Sequence, residues 1–149
     1  MKSVVNFLSL GKNQDINQSI CSLTRDLYKS GSQIIIIDTD SNLEKLDKLL
    51  WTFEQNSFLP HKIYKPNIEL DTPIILLSEK YLNNLLVFNM YNSIINNFDK
   101  PILAADENTE VYELVENYED KKVISRNKYL AYKRNSFSLS HNEYNEQTI

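Results

Sequence analysis

Residues 16–38 read INQSICSLTRDLYKSGSQIIIID, and the fold class follows from this run. Ile16, Ile20, Leu23 and Leu27 recur at i, i+4, i+7 and i+11, the spacing of an apolar stripe on an amphipathic helix from about residue 15 to 29. Ser30-Gly31 then reads as a helix stop, because glycine enters left-handed backbone without a steric penalty. Gln33-Ile34-Ile35-Ile36-Ile37 follows, apolar on both faces. A strand of that kind suits a parallel sheet covered by helices on both sides.

Working outward, Val4–Leu10 reads as a first strand, ended by Gly11. Ser41-Asn42-Leu43-Glu44 has the pattern of a capping box, opening a helix with Leu43, Leu46, Leu50 and Phe53 inward. Pro73–Leu77 and Leu85–Phe88 are expected as two more buried strands, and Val111–Val115 as a last one. Residues 91–108 are the least legible; a short helix and a strand at Pro101–Ala104 fit them. The alternation of strand and helix predicts the α/β class: a single-domain open, mostly parallel sheet flanked by helices, Rossmann-like. The domain is expected to span residues 1–139. Residues 140–149, polar with Tyr144 as the single aromatic, read as a disordered tail.

Composition narrows the function. The chain has 149 residues, 42% hydrophobic and 24% charged, with net charge −4. One cysteine excludes an internal disulfide and fits a reducing cytoplasm. The amino terminus lacks a signal-peptide core, and no apolar run approaches a membrane span, so a cytoplasmic location away from membranes is expected. The only two glycines are Gly11 and Gly31. That is too few for a dinucleotide fingerprint or a P-loop, so the Rossmann-like sheet is expected to lack a phosphate-binding loop and to need no cofactor. Asp38-Thr39-Asp40 after an apolar strand leaves two readings open. The acids end a strand and cap a helix, or they hold Mg²⁺ in a phosphotransfer enzyme. His61 and His141 have no partner at ligand spacing, so no metal site is expected. Cys21 sits beside the apolar stripe of the first helix and reads as a small core hydrophobe. No catalytic residues are assigned.

Two segments point to binding. Trp51 and Phe53, then Phe58, Pro60 and His61, carry large side chains past a helix end into a loop, as an exposed protein anchor would. Residues 121–134, KKVISRNKYLAYKR, hold six cations and two tyrosines, directly after seven acids and no base in residues 106–120. On a helical wheel Lys122, Arg126, Tyr129 and Lys133 form one stripe, while Val123, Ile124, Leu130 and Ala131 mark the expected buried side. A short acidic peptide suits that stripe better than duplex DNA, since few cations share one helix and the chain is acidic overall.

Four blocks carry a family resemblance: Ser19–Gly31 leading into the isoleucine strand, Leu46–Trp51, Ser57–His61, and Arg126–Lys133. Their patterns D-x-x-L-W…S-F-x-P-H and R-x-x-Y-x-A-Y-[KR] resemble the chi subunit of bacterial DNA polymerase III, a clamp-loader accessory protein. The resemblance implies a non-catalytic protein on an open α/β sheet without a phosphate loop. One surface would hold the psi subunit of the clamp loader, through Trp51, Phe58, Pro60 and His61. Another would hold the acidic, Phe-terminated tail of single-stranded-DNA-binding protein, through Arg126, Tyr129 and Lys133, with Lys128 and Arg134 adding field and Lys122 supplying the contact that a base at position 130 would make. DNA contact would be mainly indirect. The chain departs from the family at Leu130, where relatives often carry a base, and at Asn135-Ser136, where a glycine usually ends the last helix.

Overall fold

The computed structural model describes residues 3–54, 58–88 and 90–145. Ser57 of the S-F-x-P-H block and residues 146–149 of the expected tail lie outside them. Seven strands form one sheet: β1 Val4–Ser9, β2 Ile34–Asp38, β3 His61–Ile63, β4 Ile74–Ser78, β5 Ser93–Asn96, β6 Glu110–Val115 and β7 Ser138–Glu143. Their order is β3-β4-β2-β5-β6-β1-β7, and every pairing is parallel. Helices α1 Ile16–Lys29, α2 Asp40–Thr52 and α3 Glu119–Arg134 cover it. The α/β class, with an open parallel sheet, is thus the observed one.

The isoleucine strand shows why both faces are covered. Ile34 and Ile36 pack with Ile20, Leu23 and Leu27 of α1 and with Leu43, Leu46 and Leu50 of α2. Ile35 and Ile37 point the other way, into a second core with Phe7, Val111, Tyr132 and Phe137. Alternation along one strand feeds both layers. Gly31 ends α1 with φ +89°: its N–H reaches the Tyr28 carbonyl and that of Ser32 reaches the Leu27 carbonyl, each at 3.0 Å. That is a Schellman closure, and it turns the chain directly into β2.

Five expectations need correction. The capping box at Ser41–Glu44 does not form: α2 starts at Asp40 with Thr39 as its N-cap, and Thr39 makes no side-chain capping bond. Leu85–Phe88 is no strand but part of a 3₁₀ segment, Glu79–Phe88, with non-helical backbone at Tyr81. The place beside β2 belongs instead to Ser93–Asn96, anchored by the N–H groups of Asn92 and Ser93 on the Gln33 carbonyl. Pro101–Ala104 is loop and turn. Val111–Val115 lies in β6 and is not the last strand. Ser138–Glu143 pairs with β1 from Val4↔Ser138 to Ser9↔Glu143, so the tail expected from Ser140 is strand as far as Glu143. An edge strand keeps one side in solvent, which is why SLSHNE can be polar and still pair. Tyr144 closes the strand, buried in the core of α1 and α2, with its N–H on the Ser9 carbonyl at 2.8 Å.

Candidate functional site

The carboxyl ends of β1, β6 and β7 meet α3 at a cleft of about 960 Å³. Beyond β1 the chain turns into α1, which packs on one face of the sheet; beyond β6 it turns into α3, which packs on the other. Neighbouring parallel strands whose connections diverge leave a crevice at their carboxyl ends, where open α/β sheets bind ligands. Phe7, Leu10, Val115, Tyr129 and Leu130 give the cleft its apolar lining. The Phe7 and Tyr129 rings stand 5.6 Å apart, tilted by 54°. Lys122 and Arg126 bring the cations, Glu116 and Glu143 the carboxylates. Ser9 Oγ and His141 Nε2 lie 2.6 Å apart at its β1/β7 side. Arg126 also has Glu119 Oε1 at 3.6 Å, an exposed pair of little strength.

How α3 sits decides which cations reach the cleft. Its buried residues are Lys128 and Tyr132, not the arc of Val123, Ile124, Leu130 and Ala131. Val123 and Leu130 are about half exposed. The inner face is therefore turned by about 120°, a third of the helix circumference, from the one that hydrophobicity predicts. The cause is a buried polar network. Glu113 on β6 is 2% exposed. It accepts from Lys128 Nζ at 2.8 Å, Tyr132 Oη at 2.6 Å and Asn96 Nδ2 at 2.8 Å. Lys128 also donates to the Phe98 carbonyl, and Tyr132 Oη accepts the Ile102 N–H at 2.9 Å. Burial pushes the Glu113 carboxyl up, and Lys128 is the largest pull back toward the ionised form. Burial likewise pushes the Tyr132 hydroxyl up, reinforced by Glu113.

Of the cationic group, then, Lys122, Arg126 and Tyr129 converge on the cleft. Lys133 and Arg134 are exposed further along α3, outside its lining. Lys128, 6% exposed, is spent inside and corrects the expectation that it adds field to a binding stripe. Phe7, Ser9, His141 and Glu143 join the lining without a signal in the sequence, the last two from the expected tail. Leu130, expected on the buried side, lines the cleft at the position where relatives often carry a base.

The second cluster lies at the opposite edge of the sheet, where β3 follows α2. Trp51 is 51% exposed and Phe58 67%, with ring centroids 5.5 Å apart. Pro60 is half-buried beside them. His61 is buried under Trp51, 4.3 Å between ring centroids, so it is not the surface residue that its loop-like sequence suggested. Its Nδ1 lies 2.6 Å from the Leu59 carbonyl and its Nε2 3.0 Å from the Asp47 carboxylate. It props the indole outward rather than meeting solvent itself.

Asp38 and Asp40 do not converge. Asp38 is buried and accepts from the side chains of Asn42 at 2.5 Å and Asn97 at 2.7 Å, and from the Thr39 N–H at 2.7 Å. Asp40 is exposed and paired with Lys80 at 3.0 Å. Among the described residues no group of three His, Cys, Asp or Glu side chains is placed to hold a metal ion. Ser9 and His141 stand at the distance of a nucleophile and its base, yet among the described residues no carboxylate hydrogen-bonds His141 Nδ1 to orient the ring. No described helix is long and apolar enough to cross a membrane.

The family model described as DNA polymerase III chi subunit, HolC, matches residues 1–140. No curated protein matches the chain. That match spans β1 to β6, the first half of β7, α1 to α3 and most of the cleft, with His141, Glu143 and Tyr144 beyond it. The chain belongs to the DNA polymerase III chi subunit family, accessory subunits of that polymerase.

Proposed function

We propose that this protein is a non-catalytic bridge in DNA replication, acting in the cytoplasm. The cleft takes the acidic, Phe-terminated tail of single-stranded-DNA-binding protein. The Trp51–Phe58 patch takes a psi-type subunit and so ties the protein to the clamp loader. The observation that carries the reading is the convergence of Lys122, Arg126 and Tyr129 on an apolar-lined cleft. Such a site offers charge-assisted bonds to carboxylates and an apolar seat for a terminal aromatic ring. Lys133 and Arg134, exposed beyond it, extend the positive field toward the residues preceding that terminus.

The placement of the two surfaces supports a bridge. The patch lies beside edge strand β3 and the cleft spans β6, β1 and β7, four to six strand spacings or about 19–29 Å away, so both partners fit at once. With net charge −4, the protein as a whole repels a nucleic-acid backbone, which favours contact with DNA through the binding protein rather than directly.

Titration with a peptide copying the tail tests the cleft. Affinity of about micromolar order is expected, weakening as salt rises. Arg126→Ala combined with Lys122→Ala should remove most of it. Unchanged affinity in the double variant would overturn the site, and tight binding of an oligonucleotide without the binding protein would overturn the indirect route to DNA.

A further inference from the structure

One histidine, His141, stands among the charged groups that line the cleft. His141 faces the same side of the sheet as Phe7, its partner in register on β1. The charged groups around it come from three elements: Lys122 and Arg126 on α3, Glu116 just past β6, and Glu143 two residues along its own strand. From β1 it meets the neutral Ser9, and near the start of α1 the cleft is lined by the neutral Gln14. Among the lining residues two cations stand against two carboxylates while His141 is neutral, with Glu119 outside the lining 3.6 Å from Arg126. A protonated His141 adds a third cation to the lining.

We propose that His141 is an anion-contacting residue of this cleft and that binding of an acidic peptide there is coupled to proton uptake by His141. The inference rests on the cleft being the acidic-peptide site proposed above. An incoming carboxylate stabilises the imidazolium, so the complex holds the proton more tightly than the free protein does. The contribution to affinity is therefore complete at low pH and lost as pH rises through the histidine range. Ser9 is compatible with both states: its hydroxyl donates to a neutral ring nitrogen and turns to accept from a protonated one. The only other histidine, His61, is buried at the far edge of the sheet, about 29 Å away by strand spacing and well beyond a Debye length of about 8 Å. A pH effect on the cleft between pH 6 and 8 that a His141 substitution removes therefore belongs to His141.

The experiment is calorimetric titration of the full chain with an acidic peptide ending in phenylalanine, at pH 6 and pH 8. Each pH is run in two buffers of different ionisation enthalpy, so that proton uptake is read directly. Wild type should bind about three- to fivefold tighter at pH 6, the worth of one partly exposed ion pair, and take up protons on binding. His141→Gln should match wild type at pH 8 and show neither the gain at pH 6 nor the uptake. Absence of proton uptake in wild type, or an equal pH dependence in the variant, overturns the proposal while leaving the cleft reading intact. Equal weakening of His141→Gln at both pH values would reduce His141 to a positioning residue and likewise overturn it. No binding by wild type at either pH, or binding that Arg126→Ala leaves untouched, removes the cleft reading and the proposal with it.

Discussion

Lys128→Met tests the network that sets the rotation of α3. Methionine keeps the length and apolar stem of lysine while removing its charge and donors. Glu113 Oε1 then loses its donor at 2.8 Å, and the Phe98 carbonyl loses Lys128 as well. Tyr132 and Asn96 remain as neutral donors on Oε2. Breaking a buried ion pair from one side costs about 3–5 kcal/mol, because the other charge stays behind without its partner. That is a large part of the roughly 5–15 kcal/mol that holds a domain of this kind. The pH dependence follows in sign. Burial raises the folded-state pKa of Glu113 above its ordinary value, and Lys128 is the largest opposing pull. Without Lys128 the raise grows, so the folded variant binds the proton more tightly than the unfolded chain. Stability is therefore kept at pH values below the ordinary carboxylate range and lost as pH rises through the folded-state value. Urea unfolding at pH 8 and pH 5 should show the full deficit at pH 8 and a smaller one at pH 5. Glu113→Gln placed on the Lys128→Met background should recover more than half of the deficit at pH 8, since no charge remains to strand. A deficit below about 1 kcal/mol at pH 8, or one equal at both pH values and untouched by the second substitution, would refute the network as described.

Ser136 closes α3 in left-handed backbone, φ +67°, with the Phe137 N–H on the Tyr132 carbonyl at 3.1 Å. Ser136→Gly relieves that conformation and should stabilise by about 1 kcal/mol, raising Tm by about 2–4 °C in thermal melts; an unchanged or lower Tm would count against strain there. The Cys21 thiol is fully buried and pushed up to about 12 by desolvation, with Asp15 adding to it. A thiol reagent at pH 8 should leave it unmodified in the native protein and label it in urea; rapid native labelling would contradict its place in the core. Trp51→Ala removes a half-exposed ring that covers His61, so it should lower Tm by only a few degrees while weakening co-purification of a psi-type subunit by about 30-fold, as a hot-spot anchor does. Retention of that partner by the variant would move the second surface elsewhere.

The legible parts of the fold were those where burial and local pattern agree. The stripe of α1, its glycine stop and the isoleucine strand each carry one signal without a competitor. Where polar residues do the work of core, the signal inverted. Ser93-Ile94-Ile95-Asn96 is a central strand whose Asn96 is consumed by Glu113 and the Lys100 carbonyl. Leu85–Phe88 is the more apolar run, yet apolar content alone does not separate strand from helical backbone. The polar β7 was unreadable because an edge strand needs only backbone pairing and one partly covered face. The wheel of α3 failed for a related reason. It assumes that charge faces out, and Lys128 faces in because Glu113, fifteen residues upstream on another element, neutralises it. Of the stripe of Lys122, Arg126, Tyr129 and Lys133, the first three line the cleft because they flank the buried side from either reading, and Lys133 lies outside its lining. His141 and Ser9 had no local signal, since only the register of β7 on β1 brings them together.

The most direct test of the bridge is a chemical-shift map of the ¹⁵N-labelled full chain titrated with the acidic, Phe-terminated peptide. The largest changes should fall on the backbone amides of Ser9, Gly11, Arg126, Tyr129, Leu130 and His141, with Trp51 and Phe58 unmoved and free for the other partner. Shifts centred on Trp51 and Phe58, or none at saturating peptide, would contradict the account.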